Sequence, residues 1–336
     1  MNKKKRKMSN VLVLDKSQKR PKKEPLMCSL NDLDSLITIA QTSVEYTNIN
    51  NKTLKTILSY LIELQNIIGM KELKQSIFYQ IIYYLQDLHK KSDDYLNTVI
   101  LGAPGCGKTT VAKILGNIYS NLGILRNNTF TIAKRSDFIG EYLGQTTIKT
   151  NKLLKSCIGG LLFIDEVYSL GSGSRDKKDS YSKEAIDALN MFLSEHKNEF
   201  CCIIAGYEDD VYDCFFSVNK GLERRFPWIH KIEKYEPEEL ADICFKQIKD
   251  IGWQTIITKK ELIKIIKDNI ELFKNTGGDI ENLISRTKMC HAKRIFGLDP
   301  YHKFIITTTD VHNAIKLLKL NKKEEKEEEI KLTMYC

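Results

Sequence analysis

The stretch Gly102-Ala-Pro-Gly-Cys-Gly-Lys-Thr-Thr110 decides the fold of this 336-residue chain. It completes the pattern G-x-x-x-x-G-K-[ST], follows an apolar strand-like run at Asn97–Leu101 and opens a helix-like run at Thr109–Ser120. Its glycines let the backbone turn tightly and aim N–H groups at anionic oxygens, and the helix dipole adds positive potential. Because both flanks fit the pattern, we interpret it as a phosphate-binding loop rather than a chance glycine-rich turn.

The loop also carries the side chains that phosphate chemistry needs. Lys108 is placed to neutralise the β and γ phosphates of a nucleotide, and the Thr109 hydroxyl to hold a magnesium ion. The predicted cofactors are therefore ATP and Mg²⁺. The residues expected to surround the phosphates are Gly102, Ala103, Pro104, Gly105, Cys106, Gly107, Lys108, Thr109 and Thr110.

A second motif, Gly160-Leu-Leu-Phe-Ile-Asp165-Glu166, places an acidic pair after a buried strand. Asp165 would emerge at the carboxyl end of that strand, where ligands of open α/β sheets bind. It is predicted to hold the magnesium through water, and Glu166 to orient and activate the attacking water. Such a pair is common in plain surface turns, but one strand-helix unit downstream of a phosphate loop it favours ATP hydrolysis.

The order of helical and strand patterns predicts an α/β fold. Five strand-like runs, at 98–101, 129–133, 161–165, 201–205 and 228–232, alternate with helical segments at about 107–121, 146–157, 182–196 and 207–216. This alternation indicates a parallel sheet sandwiched by helices. After Pro237 only helical patterns follow, at about 238–251, 259–273, 279–296 and 308–320, which predicts a small all-helical lid domain.

Most of the positive charge of the chain lies in its first 25 residues. They hold ten Lys and Arg residues against Asp15 and Glu24, so the remaining residues contribute only about +1 to the total of +9. The near-neutral remainder argues against a basic nucleic-acid-binding face, although a local patch stays open. The clusters Lys3–Lys7 and Lys19–Lys23 resemble a bipartite nuclear localisation signal, with a merely solvated tail as the alternative.

Composition favours an intracellular protein. Nine cysteines occur without CxxC pairs, which fits a reducing compartment, and no uncharged apolar run approaches the roughly 18 residues that a membrane span needs. We therefore expect no membrane partner, and a cytoplasmic location unless the basic tail directs nuclear import.

The motifs together resemble those of the AAA+ ATPases, and most closely the CbbX/CfxQ/SpoVK-like group. The resemblance spans residues 55–320 and, besides the phosphate loop, rests on IIGMKELKQSI (67–77), RSDFIGEYLGQTTIKT (135–150), GGLLFIDEVYSL (159–170), IIAGYEDDV (203–211) and GLERRF (221–226). It implies the following division: residues 1–27 a disordered basic tail, 28–65 a helical N-terminal extension, 66–234 the large ATPase domain, 235–320 the lid and 321–336 a charged C-terminal tail.

The resemblance also implies roles for single residues. The segment Ile67, Ile68 and Gly69 would lie against the adenine, and Tyr207 stands where many AAA+ proteins carry an Asn near the nucleotide. Arg224 and Arg225 match the position of an arginine finger that completes the site of a neighbouring subunit, which implies a homo-oligomeric ring, by analogy a hexamer. The lid reads TGGD at 276–279, so no lid arginine is assigned.

The segment Phe138–Gly144 resembles a pore loop in which an aromatic and an aliphatic side chain grip a polypeptide. Tyr142 and Leu143 form that pair. The sequence thus predicts a ring-forming AAA+ ATPase that couples Mg-ATP hydrolysis to remodelling or threading of a protein substrate. Two alternatives stay open on the same fold: a nucleic-acid motor or loader, and a nucleotide-dependent scaffold that hydrolyses poorly, against which Glu166 argues.

Overall fold

The computed structural model describes residues 23–26, 30–47, 49–91, 94–142, 144–171, 180–273 and 277–334. Leu143, residues 172–179 and the basic clusters apart from Lys23 lie outside these ranges.

A five-stranded parallel sheet forms the centre of the large domain. Its strands are β1 (Thr98–Leu101), β2 (Phe130–Ala133), β3 (Leu161–Ile164), β4 (Cys201–Gly206) and β5 (Trp228–Lys231). They lie in the order β2-β3-β4-β1-β5, and every neighbouring pair is parallel. Strands β1, β3 and β4 are buried along their whole length, as central strands covered on both faces must be. The predicted sheet is confirmed.

Helices cover both faces of this sheet. In chain order they are α1 (Leu33–Gln41), α2 (Asn51–Gln65), α3 (Lys71–Leu85), α4 (Lys108–Asn121), α5 (Gln145–Ser156) and α6 (Ser180–Glu195). Successive strand side chains point to opposite faces. Ile100, Phe163 and Ile203 therefore pack with α1–α4, whereas Leu162 and Ile204 pack with α5 and α6.

The N-terminal helices belong to the same core as the sheet. Helix α1 begins at a capping box formed by Asp32 and Ser35, and Asn50 caps α2. Leu36 of α1 and Leu61 of α2 are buried in one apolar cluster with Leu115 of α4. The segment predicted as an extension thus shares its packing with the helix that follows the phosphate loop.

The segment after β4 differs from a regular helix. A single turn at Glu208–Asp210 is followed by a π-helical turn at Val211–Phe215, and only then by a 3₁₀ turn at Phe216–Val218. A π turn admits one extra residue, which cannot be read from apolar spacing. Val211 and Phe215 of this turn are both buried in the core.

The lid has its own core. Its helices are α7 (Pro237–Asp250), α8 (Lys259–Lys267), α9 (Gly277–Ile295) and α10 (Thr308–Met334). Leu240, Ile266 and Ile280 are buried together there. The lid is helical as predicted, with one addition, a short parallel pairing of Gln254–Thr255 with Ile305–Ile306. Helix α10 continues through the charged run 321–331, which leaves the predicted start of the C-terminal tail inside a helix.

The lid contains a buried polar cluster around Asp310. Asp310 accepts hydrogen bonds from Arg294 (Nε to Oδ1, 2.8 Å) and from the Thr307 N–H (2.9 Å), and the ring of His291 lies 3.1 Å from it. Burial opposes its ionisation, but the bonds from Arg294, Thr307 and His291 hold the pKa of Asp310 below its usual value. His291 is thus held inside the lid by contacts with Asp310 and with the Lys303 carbonyl oxygen.

Across the described ranges, no helix is both long enough and apolar enough to cross a lipid bilayer.

Candidate nucleotide site

The phosphate-binding loop connects β1 to α4 at the carboxyl edge of the sheet. The Gly102 N–H donates to the Gly206 carbonyl (3.0 Å), which ties the start of the loop to β4. Gly105 and Gly107 have φ values of 71° and 95°, a region that L residues with a Cβ disfavour. The glycines of the motif are therefore required by the shape of the loop, and α4 begins directly after them.

Lys108 is folded back over this loop. Its Nζ donates to the carbonyl oxygens of Gly102 (3.0 Å) and Ala103 (2.9 Å), and the residue is only 8% exposed. The Tyr207 ring, which follows β4, lies 6.0 Å from the same ammonium, within the range of a cation–π contact. Burial and the charge of Asp210 raise the pKa of Tyr207, so its hydroxyl stays neutral.

The acidic pair meets the loop from the neighbouring strand end. The Thr109 hydroxyl donates to Asp165 Oδ2 at 3.3 Å, and the Glu166 N–H donates to Asp165 Oδ1 at 3.0 Å. One hydroxyl and one carboxylate facing a phosphate loop suit Mg²⁺, which takes one or two protein oxygens and completes its shell with phosphate and water. The residues present therefore fit this ion.

Glu166 is exposed at the edge of the site and has a left-handed backbone (φ 47°, ψ 48°). Such a conformation is uncommon for a residue with a side chain and recurs where function dictates geometry. Burial and the negative charge of Glu166 raise the pKa of the adjacent Tyr168. Among the described residues, no ion pair holds the exposed Glu166 carboxylate.

A cleft of about 230 Å³ opens beside the phosphate loop, between the large domain and the lid. From the large domain it is lined by Ile67, Ile68, Met70, Gly105, Cys106, Gly107 and Thr110. From the lid side it is lined by Tyr235, Ile243, Lys246, Gln247, Asp250, Gly277 and Glu281. Of the predicted adenine contacts, Ile67 and Ile68 line the cleft. Gly69 does not, and its φ of 69° instead forms the turn that precedes α3.

Two lid residues that were not predicted to be part of the site contact the phosphate loop. The Tyr235 hydroxyl donates to the Cys106 carbonyl oxygen (3.2 Å), and Gly277, the first residue of α9, lies against the backbone of Gly105. The TGGD motif at 276–279 was the feature of the sequence that could have pointed to Gly277. Its small residues permit this approach, but the spacing alone does not say what they approach.

The two arginines before β5 have different surroundings. Arg225 donates through Nε to the Ser194 hydroxyl (2.8 Å) and through Nη1 to the Gly221 carbonyl, and its own carbonyl accepts from Asn97 (2.9 Å). Arg224 is exposed. Within the described part of the chain, no hydrogen bond or ion pair holds its guanidinium. Neither arginine reaches the phosphate loop of its own subunit through any of these contacts.

Tyr142 protrudes from the loop that joins the short helix Arg135–Phe138 to α5. Its side chain is 67% exposed, while Phe138 at the base of the same loop is fully buried. Gly144 has a φ of 80° and begins α5, and a Cβ on Gly140 would lie 2.7 Å from Cβ of Gln145. The flanking glycines thus serve close packing and a left-handed turn, and the loop base is tightly built.

The fold and these two motifs define a P-loop ATPase. The sequence profile of the family described as "ATPase family associated with various cellular activities (AAA)" matches residues 98–226. A CfxQ-like protein of Acanthamoeba polyphaga mimivirus is 36% identical over 90% of this chain and 76% of its own length. Stage V sporulation protein K of Bacillus subtilis is 33% identical over 88% of this chain and 93% of its own length.

Among solved structures, the FIGL-1 AAA domain in complex with ADP shares the fold, with a TM-score of 0.52 and 16% identity over 88% of this chain and 92% of that one. The chain belongs to the AAA+ ATPases of the CbbX/CfxQ/SpoVK group, and it is an ATP hydrolase.

Proposed function

We propose that this protein is a ring-forming ATPase that uses Mg-ATP hydrolysis to pull on a protein segment. The observation that carries the proposal is Tyr142, a large aromatic side chain that is 67% exposed on a loop whose base is packed and hydrogen-bonded. An exposed ring on a firm base can transmit force. By wedging against successive residues of an extended chain it would bury apolar area worth roughly 1.5–3 kcal/mol per full contact.

The hydrolytic step is assigned to residues of the phosphate loop and the acidic pair. Lys108 would leave its loop carbonyls for the β and γ phosphates, and Thr109 and Asp165 would hold the magnesium ion, which supplies charge neutralisation when bound. Glu166 would accept the proton of the attacking water. Ile68 would contact the adenine in the cleft beside Gly105.

The ring is supported by the exposure of Arg224. Charge spreads over the phosphoryl oxygens in the transition state, and a guanidinium stabilises it when supplied in cis or by a neighbour. Because no contact among the described residues joins Arg224 to its own phosphate loop, we propose that it acts in trans. Arg225, which Ser194 and Gly221 hold, would fix the short turn that carries both arginines. A head-to-tail interface that closes yields a ring, and by family analogy a hexamer.

The proposal is tested at Tyr142, by measuring how a model unfolded polypeptide such as casein stimulates ATP hydrolysis. Tyr142→Ala should abolish the stimulation, and Tyr142→Phe should retain most of it because the ring remains. Tyr301→Ala removes another highly exposed tyrosine (77%) and serves as the matched control. Stimulation by casein that survives Tyr142→Ala would refute the gripping role.

The same variants address the alternative of a nucleic-acid motor. Aromatic side chains also stack on bases, so a loss of single-stranded DNA binding in Tyr142→Ala would favour that alternative. The near-neutral charge of residues 26–336 favours the protein substrate. We further propose nuclear import through residues 1–25, to be tested by fusing them to a fluorescent reporter.

A further inference from the structure

Arg135 occupies the junction between the sheet and the Tyr142 loop. It is the first residue of the four-residue helix Arg135–Phe138, which follows β2 and leads into that loop. The side chain is half-buried, so its charge must be met by fixed acceptors.

Those acceptors lie on two other segments. Arg135 Nη1 donates to the Ser169 carbonyl oxygen (2.6 Å) and to the Ser182 hydroxyl (2.7 Å). Ser169 belongs to the 3₁₀ turn Val167–Leu170 that directly follows Glu166, and Ser182 lies fully buried in the first turn of α6. One guanidinium therefore joins the Glu166 turn, the start of α6 and the entry to the Tyr142 loop.

The connection to Glu166 is short. The Ser169 N–H donates to the Glu166 carbonyl oxygen (2.8 Å), so two successive hydrogen bonds lead from Glu166 through Ser169 to Arg135. Glu166 itself has the left-handed backbone described above, with its N–H held by Asp165. Any change in this disfavoured conformation would shift the peptide that Arg135 holds.

The segment after Arg135 is tied firmly to α5. Lys149 Nζ donates to the carbonyl oxygens of Ser136 (2.7 Å) and Ile139 (2.9 Å), and the Gly140 N–H donates to the Thr146 hydroxyl (3.1 Å). A displacement at the Arg135 end would therefore carry the loop base and α5 together rather than being absorbed by bending.

We propose that Arg135 is a positioning residue that links the conformation of the Glu166 turn to the position of the Tyr142 loop. This inference rests on the proposed function in that it takes the Tyr142 loop as the part that acts on substrate. Arginine suits the role because both bonds come from Nη1, whose hydrogens lie in the fixed plane of the guanidinium, whereas a lysine ammonium rotates about its stem.

The test reads loop position directly in the full-length chain. Tyr142→Trp places a fluorescent indole on the loop, and the emission of Trp228 and Trp253 is subtracted using the chain without that substitution. Emission is compared with Mg-ATP and with Mg-ADP bound, in backgrounds with Arg135, with Arg135→Ala and with the control Arg126→Ala, an exposed arginine. Calorimetry gives the ATP affinity of each.

We expect the difference between ATP and ADP emission to fall roughly threefold or more in Arg135→Ala, with ATP affinity within about twofold of the control. An undiminished difference would overturn the proposal. Equal emission with ATP and with ADP in the chain that retains Arg135 would also overturn it. A loss of ATP binding in Arg135→Ala would overturn it too, because the residue would then be part of the nucleotide pocket.

Two milder variants keep the test decisive if Arg135→Ala does not fold. Arg135→Lys retains charge and donor, and Ser182→Ala removes one acceptor. Each should reduce the emission difference, and full responses in both would contradict the link. Failure of the proposed gripping function can be distinguished from failure of this link. In that case casein still stimulates ATP hydrolysis in Tyr142→Ala, but Arg135→Ala still reduces the difference between ATP and ADP emission.

Discussion

Gly277, the first residue of lid helix α9, lies against Gly105 of the phosphate loop: a Cβ on Gly277 would sit 2.6 Å from the Gly105 carbonyl oxygen. The adjacent Gly278 is different, since a Cβ there would lie 4.0 Å from Gly105 Cα, an ordinary contact distance. The lid therefore reaches the edge of the nucleotide site through a residue that has no side chain.

This contact predicts that Gly277→Ala weakens nucleotide binding. The added methyl group must push the lid or the loop away, and overpacking of this kind costs about 1–3 kcal/mol, or roughly fivefold to a hundredfold in affinity. Gly278→Ala is the matched control, with the same chemical change in ordinary contact distance. Calorimetric titration with ATP checks the prediction, and equal affinities of the two variants would contradict it.

Substitutions of Lys108 and Glu166 should affect different steps, the first ATP binding and the second ATP hydrolysis. Lys108→Ala should weaken ATP binding roughly tenfold to a hundredfold, because it removes a charge-assisted contact to phosphate. Lys113→Ala, an exposed lysine on the same helix, is the control. Glu166→Gln should bind ATP normally but hydrolyse it roughly a hundredfold or more slowly, since the amide cannot accept a proton. Wild-type affinity in Lys108→Ala would refute the assignment.

The adjacent arginines should differ in what they affect. Arg224→Ala should lower turnover by about a thousandfold while ATP affinity and melting temperature stay unchanged, because the role proposed for its guanidinium is confined to the transition state. Arg225→Ala should lower the melting temperature, because it removes the bonds to Ser194 and Gly221.

Mixing subunits tests whether Arg224 acts in trans. Arg224→Ala subunits should still bind ATP, and Lys108→Ala subunits would supply an intact Arg224. If the proposed ring forms, mixtures of the two variants should recover part of the activity that each lacks alone. A monomer that is fully active at low concentration, as judged by sedimentation, would rule out a shared site.

His230 predicts how stability depends on pH. The ring is fully buried between Ser76 (2.8 Å) and Gln80 (2.8 Å), and burial lowers its pKa to about 4. The unfolded state therefore binds more protons than the folded one between about pH 4 and 6.5. The contribution of His230 to the free energy of unfolding is fully present above pH 6.5. It falls as the pH decreases towards 4, by about 3 kcal/mol in total.

Urea titrations at pH 7.5 and 5.5 measure this effect. The contribution of His230 should be about 1 kcal/mol smaller at pH 5.5. His230→Gln keeps a neutral hydrogen-bonding group that does not titrate, so its stability should change less between the two pH values. An identical pH dependence in both chains would show that His230 does not carry the effect.

Much of the fold followed from local pattern. The five strands begin and end within one residue of the predicted positions. For β1, β3 and β4 the reason is that a buried parallel strand is a continuous apolar run bounded by other residue types. The π turn at Val211–Phe215 did not follow, since its extra residue leaves no signature in apolar spacing. The pairing of residues 254–255 with 305–306 was missed for a related reason: two-residue strands carry no periodicity.

The sequence by itself located the phosphate-loop motif and the acidic pair, because a glycine-rich turn between a strand and a helix and an acidic pair after a buried strand are local features. Only the tertiary structure decided which residues meet. Arg224 and Arg225 are adjacent residues of the same type, and the sequence does not distinguish them. In the described part of the structure, only Arg225 of the two donates hydrogen bonds to Ser194 and Gly221. Gly277 reaches Gly105, and Arg135 reaches Ser169 and Ser182, through packing between segments far apart in the chain. Such contacts depend on how helices and strands pack in three dimensions, and residue spacing along the chain does not specify that packing.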